Sequence, residues 1–137
     1  LYSPLRLIEE ICILDHLSHG RLDVGVGRGV SPFELKYHDV DPSTSHGIFR
    51  EALETVLYGL DNEVLEHEGE NYTYQDVPME LRPLQDPHPP IWYPTNSADG
   101  GTFGGENGYQ ADPLEIVFQE GKWLCGGCLT KHGQYLL

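Results

Sequence analysis

The sequence predicts an α/β fold with a parallel sheet, on three observations. Near the N-terminus apolar residues recur at helical spacing and then switch within a few positions to strict alternation. Two strand-length apolar runs are separated by a long amphipathic helix, and each run is followed by polar residues at its carboxyl end. Connections of this kind join parallel strands through right-handed crossovers.

The elements follow in order. Ser3 before Pro4 marks a helix start, with the serine as cap and the proline in the first turn, where its missing N–H leaves no acceptor unsatisfied. Leu7, Ile8, Ile11 and Leu14 then repeat at helical spacing, and Gly20 is the stop. Leu22, Val24 and Val26 alternate with Asp23 and Gly25, which predicts a strand over Leu22–Val26. Residues 30–45, broken by Pro32 and Pro42, read as a long loop. Ser43, Thr44 or Ser45 caps a second helix, on which Phe49, Ala52, Leu53, Val56, Leu57 and Leu60 form an apolar stripe facing the core. An edge hairpin follows over residues 63–82, with Gly69 in its turn and Pro78 excluding a central strand. A proline-rich link leads to the apolar run Ile91–Tyr93, then to "NSADGGT" and a weaker helix signal through Phe103 to Asn107. The text after Tyr109 has no clean period, so residues 1–110 are read as one unit and 111–137 as an unassigned tail.

Composition narrows the function. The 137 residues carry 22 acids against 8 bases, a formal charge of −14, which argues against nonspecific attraction to DNA, RNA or anionic membranes. No apolar run approaches the roughly 20 residues of a membrane span. Three cysteines form no disulfide framework and point to a reducing, cytoplasmic setting. Leu1 in place of an initiator methionine, and the absence of a leader-like start, suggest the inside of a longer reading frame.

The residues with chemistry sit at the strand ends. Arg28 lies in G-x-G-R-G, where Gly25, Gly27 and Gly29 leave bare backbone for a close ligand. A salt bridge to Glu34 is the plainer alternative. Asn96 and Ser97 stand before a helix N-terminus, whose free N–H groups and dipole favour an anion, although an ordinary cap would use the same residues. Carboxyl ends of parallel strands form one rim, so a phosphate between Arg28 and Asn96–Ser97 accounts for both. Arg50 is a second candidate phosphate ligand, with Glu54 as its alternative partner at i,i+4. His38 and His46 lie in or beside the long loop. Cys125, Cys128 and His132 are too few ligands for a zinc site. No catalytic constellation of nucleophile and base, or of paired carboxylates, is visible.

Five separated blocks resemble, in order and spacing, the bacterial luciferase-like flavin-dependent monooxygenases: "PLRLIEEICILDHLSHGRLDVGVGRGVSPFE", "FREALETVL", "EGENYTY", "LRPLQDPHPPIW" and "NSADGGTFGGENGY". The match spans about residues 3–110. The resemblance implies a (β/α)₈ TIM barrel that binds reduced flavin mononucleotide (FMN) and uses O2 to oxidise a small organic substrate, with a flavin reductase as supplier and a homodimer as the usual assembly. It puts Arg28 at the flavin phosphate with Arg50 nearby, and the grip after the later strand on Asn96, Ser97 and a turn at Gly100 and Gly101. Gly27 stands where luciferase proper has a reactive cysteine, and Asn96 where it has an acid, so oxygenation rather than light emission is implied. A closed barrel takes roughly 200 residues, so the chain is expected to be the middle portion of one and inactive alone. A deazaflavin-dependent oxidoreductase of the same superfamily and a non-catalytic barrel remnant or interaction protein are the alternatives.

Overall fold

The computed structural model describes residues 2–29, 31–95, 98–113, 116–119 and 122–125. The chain divides into two compact units, Leu1–Pro89 and Pro90–Leu137.

The first unit opens with α1, Pro4–Ser18. Ser3 occupies the N-cap position without a side-chain cap bond, and Leu7 N–H takes its carbonyl instead. The helix ends as Gly20 suggests: His19 and Gly20 turn left-handed, at φ 56 and 72, and their N–H groups return to His16 O and Asp15 O. Its inner face carries Ile8, Ile11, Cys12 and Asp15. Leu14, expected on that face, is 51 % exposed, because one residue past Ile13 and before Asp15 it points about 100° away from the buried stripe.

Strand β1 is shorter than the alternation suggests, only Val24–Gly25, and the Leu22 carbonyl is taken by the Gln85 side chain rather than by a strand. The expected long loop contains a helix, α2 (Pro32–Tyr37), started by the same Ser-Pro signal that opens α1. Leu35 pins α2 inward while Phe33 and Tyr37 stand exposed.

Helix α3 (Ser45–Asp61) packs on α1, burying Leu53, Val56 and Leu60 as the stripe requires. The helices approach closely at Gly59, where a methyl group would overlap Ile8 Cδ1. Strands β2 (Val64–Glu68) and β3 (Thr73–Pro78) form the expected antiparallel hairpin. Its register shifts between Leu65 and His67, where Asp76 turns left-handed (φ 51) and gives its N–H to Glu66 Oε1. Leu65 and Met79 close the core over Ile8, Ile11, Cys12, Val56 and Leu60.

Two carboxylates tie the unit together. Glu51 on α3 accepts the N–H groups of Asn71 and Tyr72 at 2.9 and 2.7 Å, Asn71 Nδ2 at 2.5 Å, and lies 3.3 Å from His67 Nε2, so it holds the hairpin turn. Partial burial pushes its carboxyl up, but these donors outweigh it and bring it down to about 2. Asp15, fully buried, accepts the N–H groups of Leu84 and Gln85 and Gln85 Nε2, each at 2.8 Å. Burial again opposes its ionisation, and the bonds from Gln85 and Leu84 win, leaving it below the usual range.

In the second unit, β4 (Ile91–Thr95), α4 (Ala98–Glu106) and β5 (Gln110–Pro113) make a β–α–β segment, with β4 and β5 parallel and Trp92 opposite Gln110. A strand therefore crosses the boundary expected at residue 110. Tyr93, Phe103 and Tyr109 pack edge to face between β4 and α4. Strands β6 (Ile116–Gln119) and β7 (Lys122–Cys125) form a further antiparallel hairpin in what the sequence left unassigned. No helix among the described residues is long and apolar enough to cross a membrane.

Two outcomes follow for stability. Asp15→Ala strands three donors in a buried place and should cost at least about 1–3 kcal/mol in urea unfolding; a loss below about 0.5 kcal/mol would show that water replaces the carboxylate. Glu51 titrates at about 2 when folded against an ordinary 4.5, and Asp15 is shifted the same way. Their contribution is thus complete above the unfolded value and lost as pH falls through the folded one. Stability should drop between about pH 4.5 and 2, and Glu51→Gln should flatten that drop.

Candidate functional site

Arg28 leaves β1 through Val26 and Gly27, is half-buried, and is followed by Gly29 in the left-handed region (φ 84). Its Nη1 donates to Ser45 Oγ at 2.9 Å. Ser45 is the first residue of α3, is 3 % exposed, and passes its own proton to Pro42 O at 2.7 Å. The turn that delivers it is organised by Asp41, whose Oδ1 accepts Ser43 N–H and Ser43 Oγ–H at 2.8 and 2.7 Å and whose carbonyl accepts the N–H groups of Thr44 and Ser45. The Ser43 hydroxyl and amide hold the Asp41 carboxyl below its usual range.

The Glu34 side chain, weighed as the partner of Arg28, lies outside the described residues. Among the described residues the guanidinium meets a neutral hydroxyl and no carboxylate. An arginine that is half withdrawn from water and meets a hydroxyl, with no carboxylate among the described residues, suits an anion. The neighbouring hollow between α2 and α3, of about 420 Å³ and lined by Lys36, Asp39, Val40, Asp41 and Pro42, has two carboxylates against one amine and suits a phosphate poorly.

The other candidates fall as follows. Arg50 is exposed on α3, five positions past Ser45 and so about 140° round the helix axis from it. His38 ends α2 and His46 is the second residue of α3, both exposed. Gly100 and Gly101, expected in a turn, are instead the third and fourth residues of α4. Helix N–H groups lack helical acceptors through the third residue, so Gly100 keeps its amide at an anion-favouring end, whereas a fourth residue such as Gly101 ordinarily bonds the N-cap carbonyl, as Leu7 does in α1. Nothing among the described residues lies within 4 Å of where a Cβ at Gly101 would stand. Asn96 and Ser97, with Cys128 and His132, lie outside the described residues.

Two residues escaped the sequence reading. Ser45 appears there only as a possible cap; its bond to Arg28 spans 17 positions and leaves no local signal. Trp92 neighbours Tyr93, whose ring packs toward α4, and therefore projects from the other face of β4. Its Nε1 is buried and has no partner among the described residues, so the strand presents an unused donor.

The sequence profile of the luciferase-like monooxygenases matches residues 1–111. An uncharacterized protein of Sinorhizobium fredii, y4wF, is 43 % identical over 108 residues, covering 79 % of this chain and 32 % of that protein. The oxygenase component of the flavin-dependent trigonelline monooxygenase of Acinetobacter baylyi is 30 % identical over 130 residues, covering 91 % and 36 %. Among solved structures, the monooxygenase RslO1 of Streptomyces bottropensis superposes with a TM-score of 0.79 at 29 % identity, over 85 % of this chain and 36 % of its own. The chain thus spans about a third of the length of these relatives.

Proposed function

This chain belongs to the luciferase-like monooxygenase family, and on that premise we propose that it is the phosphate-gripping middle portion of a (β/α)₈ barrel that uses reduced FMN and O2 to oxidise a small organic substrate. The observation that carries the reading is Arg28: a half-buried guanidinium held by a hydroxyl, with no carboxylate among the described residues, in a chain whose formal charge is −14. In so acidic a protein a cation at a glycine-rich strand end with no carboxylate partner among the described residues suits a dianionic phosphate. The family resemblance also proposes Asn96, Ser97, Gly100 and Gly101 as phosphate ligands in the second unit, and Arg50 on α3 in the first.

Bound reduced FMN would supply the electrons that activate O2. The part of this chain is to hold the phosphate, fix the direction in which the rest of the cofactor extends, and keep water from its faces. A reductase as partner is supported by a relative described as an oxygenase component, and relatives acting on trigonelline and on limonene support a small organic substrate. A homodimer completes the proposal. Catalysis of the oxygenation is assigned to the longer architecture that the relatives possess.

The test is an NMR titration of the 137-residue chain with FMN and, separately, with riboflavin, which lacks the phosphate. FMN should bind more tightly and shift the amides of Arg28, Gly29, Gly100 and Gly101. Arg28→Ala removes a charge-assisted bond of about 1.5–3 kcal/mol and should weaken FMN roughly ten- to hundredfold while leaving riboflavin unchanged; Arg28→Lys, which keeps charge without the planar fork, should fall between. Equal binding of the two flavins, or an FMN affinity indifferent to Arg28, would remove the phosphate assignment.

A further inference from the structure

Resting on the phosphate reading of Arg28, we infer that Ser45 is a positioning residue, whose hydroxyl fixes the guanidinium of Arg28 in one orientation and thereby sets FMN against flavins without a phosphate. The geometry is closed on one side and open on the other. Ser45 Oγ donates its single proton to Pro42 O at 2.7 Å and can then only accept, and what it accepts is Arg28 Nη1–H at 2.9 Å. The order of donor and acceptor is therefore fixed, and the hydroxyl cannot rotate away without giving up both bonds. At 3 % exposure Ser45 has no water to substitute for either partner. The Asp41 turn holds the backbone beneath it, since Ser45 N–H and Thr44 N–H share Asp41 O at 3.1 Å.

A guanidinium has five N–H donors in a rigid plane. With one Nη1–H fastened to Ser45, the swing of the guanidinium is restricted and its other donors stay available, so a phosphate has less of a long side chain to order. Fixing such a side chain costs rotamer entropy, so pre-orientation appears directly as affinity. A threonine preserves this arrangement in principle, whereas an alanine removes it and leaves the charge intact. That separates positioning from charge.

The experiment reads Arg28 itself. In the free 137-residue chain, the ¹⁵N–¹H heteronuclear NOE at Arg28 Nε should be as high as that of the backbone; Ser45→Ala should lower it toward a free side chain, and Ser45→Thr should retain it. In the titration described above, Ser45→Ala should reduce the FMN-over-riboflavin preference roughly three- to tenfold, and it should add no further loss in the Arg28→Ala background. A wild-type Arg28 Nε as mobile as an unstructured arginine, or one unaffected by Ser45→Ala in a chain that keeps its dispersed amide spectrum, overturns the inference. If Ser45→Ala unfolds the chain, Ser45→Thr decides: an ordered Arg28 with the FMN preference kept upholds the role, and loss of either in a folded chain rejects it. Should Arg28→Ala leave FMN binding unchanged while the NOE responds to Ser45, the phosphate reading fails and the ordering of Arg28 by Ser45 stands.

Discussion

A carboxylate with no access to water is tolerated only where donors surround it, and Asp15 meets that demand with groups 69 and 70 positions away, the amides of Leu84 and Gln85 and the Gln85 carboxamide. The carboxamide then gives a further proton to Leu22 O at 2.8 Å. One side chain thus registers the end of α1, the approach to β1 and the segment that leads to Pro89. The apolar core of Ile8, Ile11, Val56, Leu60 and Leu65 brings these parts near one another, but burial has no direction. Hydrogen bonds to a fixed carboxylate do, and Arg28 leaves a strand whose entry they define.

The same division of labour recurs at the other clamps. Glu51 fastens the turn of the β2–β3 hairpin, and Ser45 fastens Arg28. In the first two cases an anion is met by backbone and side-chain amides. In the third a cation is left unconsumed by acids among the described residues. That contrast is what distinguishes Arg28 from a structural arginine such as Arg6, which is paired with Glu10 at 3.1 Å on the surface.

What was legible in the sequence was what is local. The Ser-Pro start and left-handed stop of α1, the stripe of α3 and the hairpin around Gly69 depend on neighbours within a few residues, and they form where the spacing puts them. The Ser31-Pro32 start is equally local, and it opens α2 inside a segment whose prolines and polar residues predict a loop. The α4 segment "ADGGTFGGE" contains four glycines that disfavour a helix, and the packing of Phe103 on Tyr93 and Tyr109 prevails over that preference. Strand β5 has no apolar run to announce it; its extended form comes from pairing with β4. At the site, Arg28 and its glycines were readable as a type, because charge and bare backbone are written in the residues, while Ser45 and Trp92 depend on who lies opposite in space. The family was legible because five blocks agreed, and its profile matches residues 1–111.

Three carboxylate contacts of the unit, those of Glu66, Glu51 and Asp15, differ in the length of chain they close. Glu66 reaches Asp76 across 10 positions, Glu51 reaches Asn71 across 20, and Asp15 reaches Gln85 across 70. Loop-closure entropy grows with the logarithm of that span, so the last contact costs about 1.7 kcal/mol more to close than the first. The bulge contact lies within the hairpin itself, whereas the Asp15 knot closes nearly the whole first unit and draws most on the core that brings its ends together. The entry to β1 is set by that knot, so the placing of the glycine-flanked arginine depends on the contact with the largest closure cost of the three.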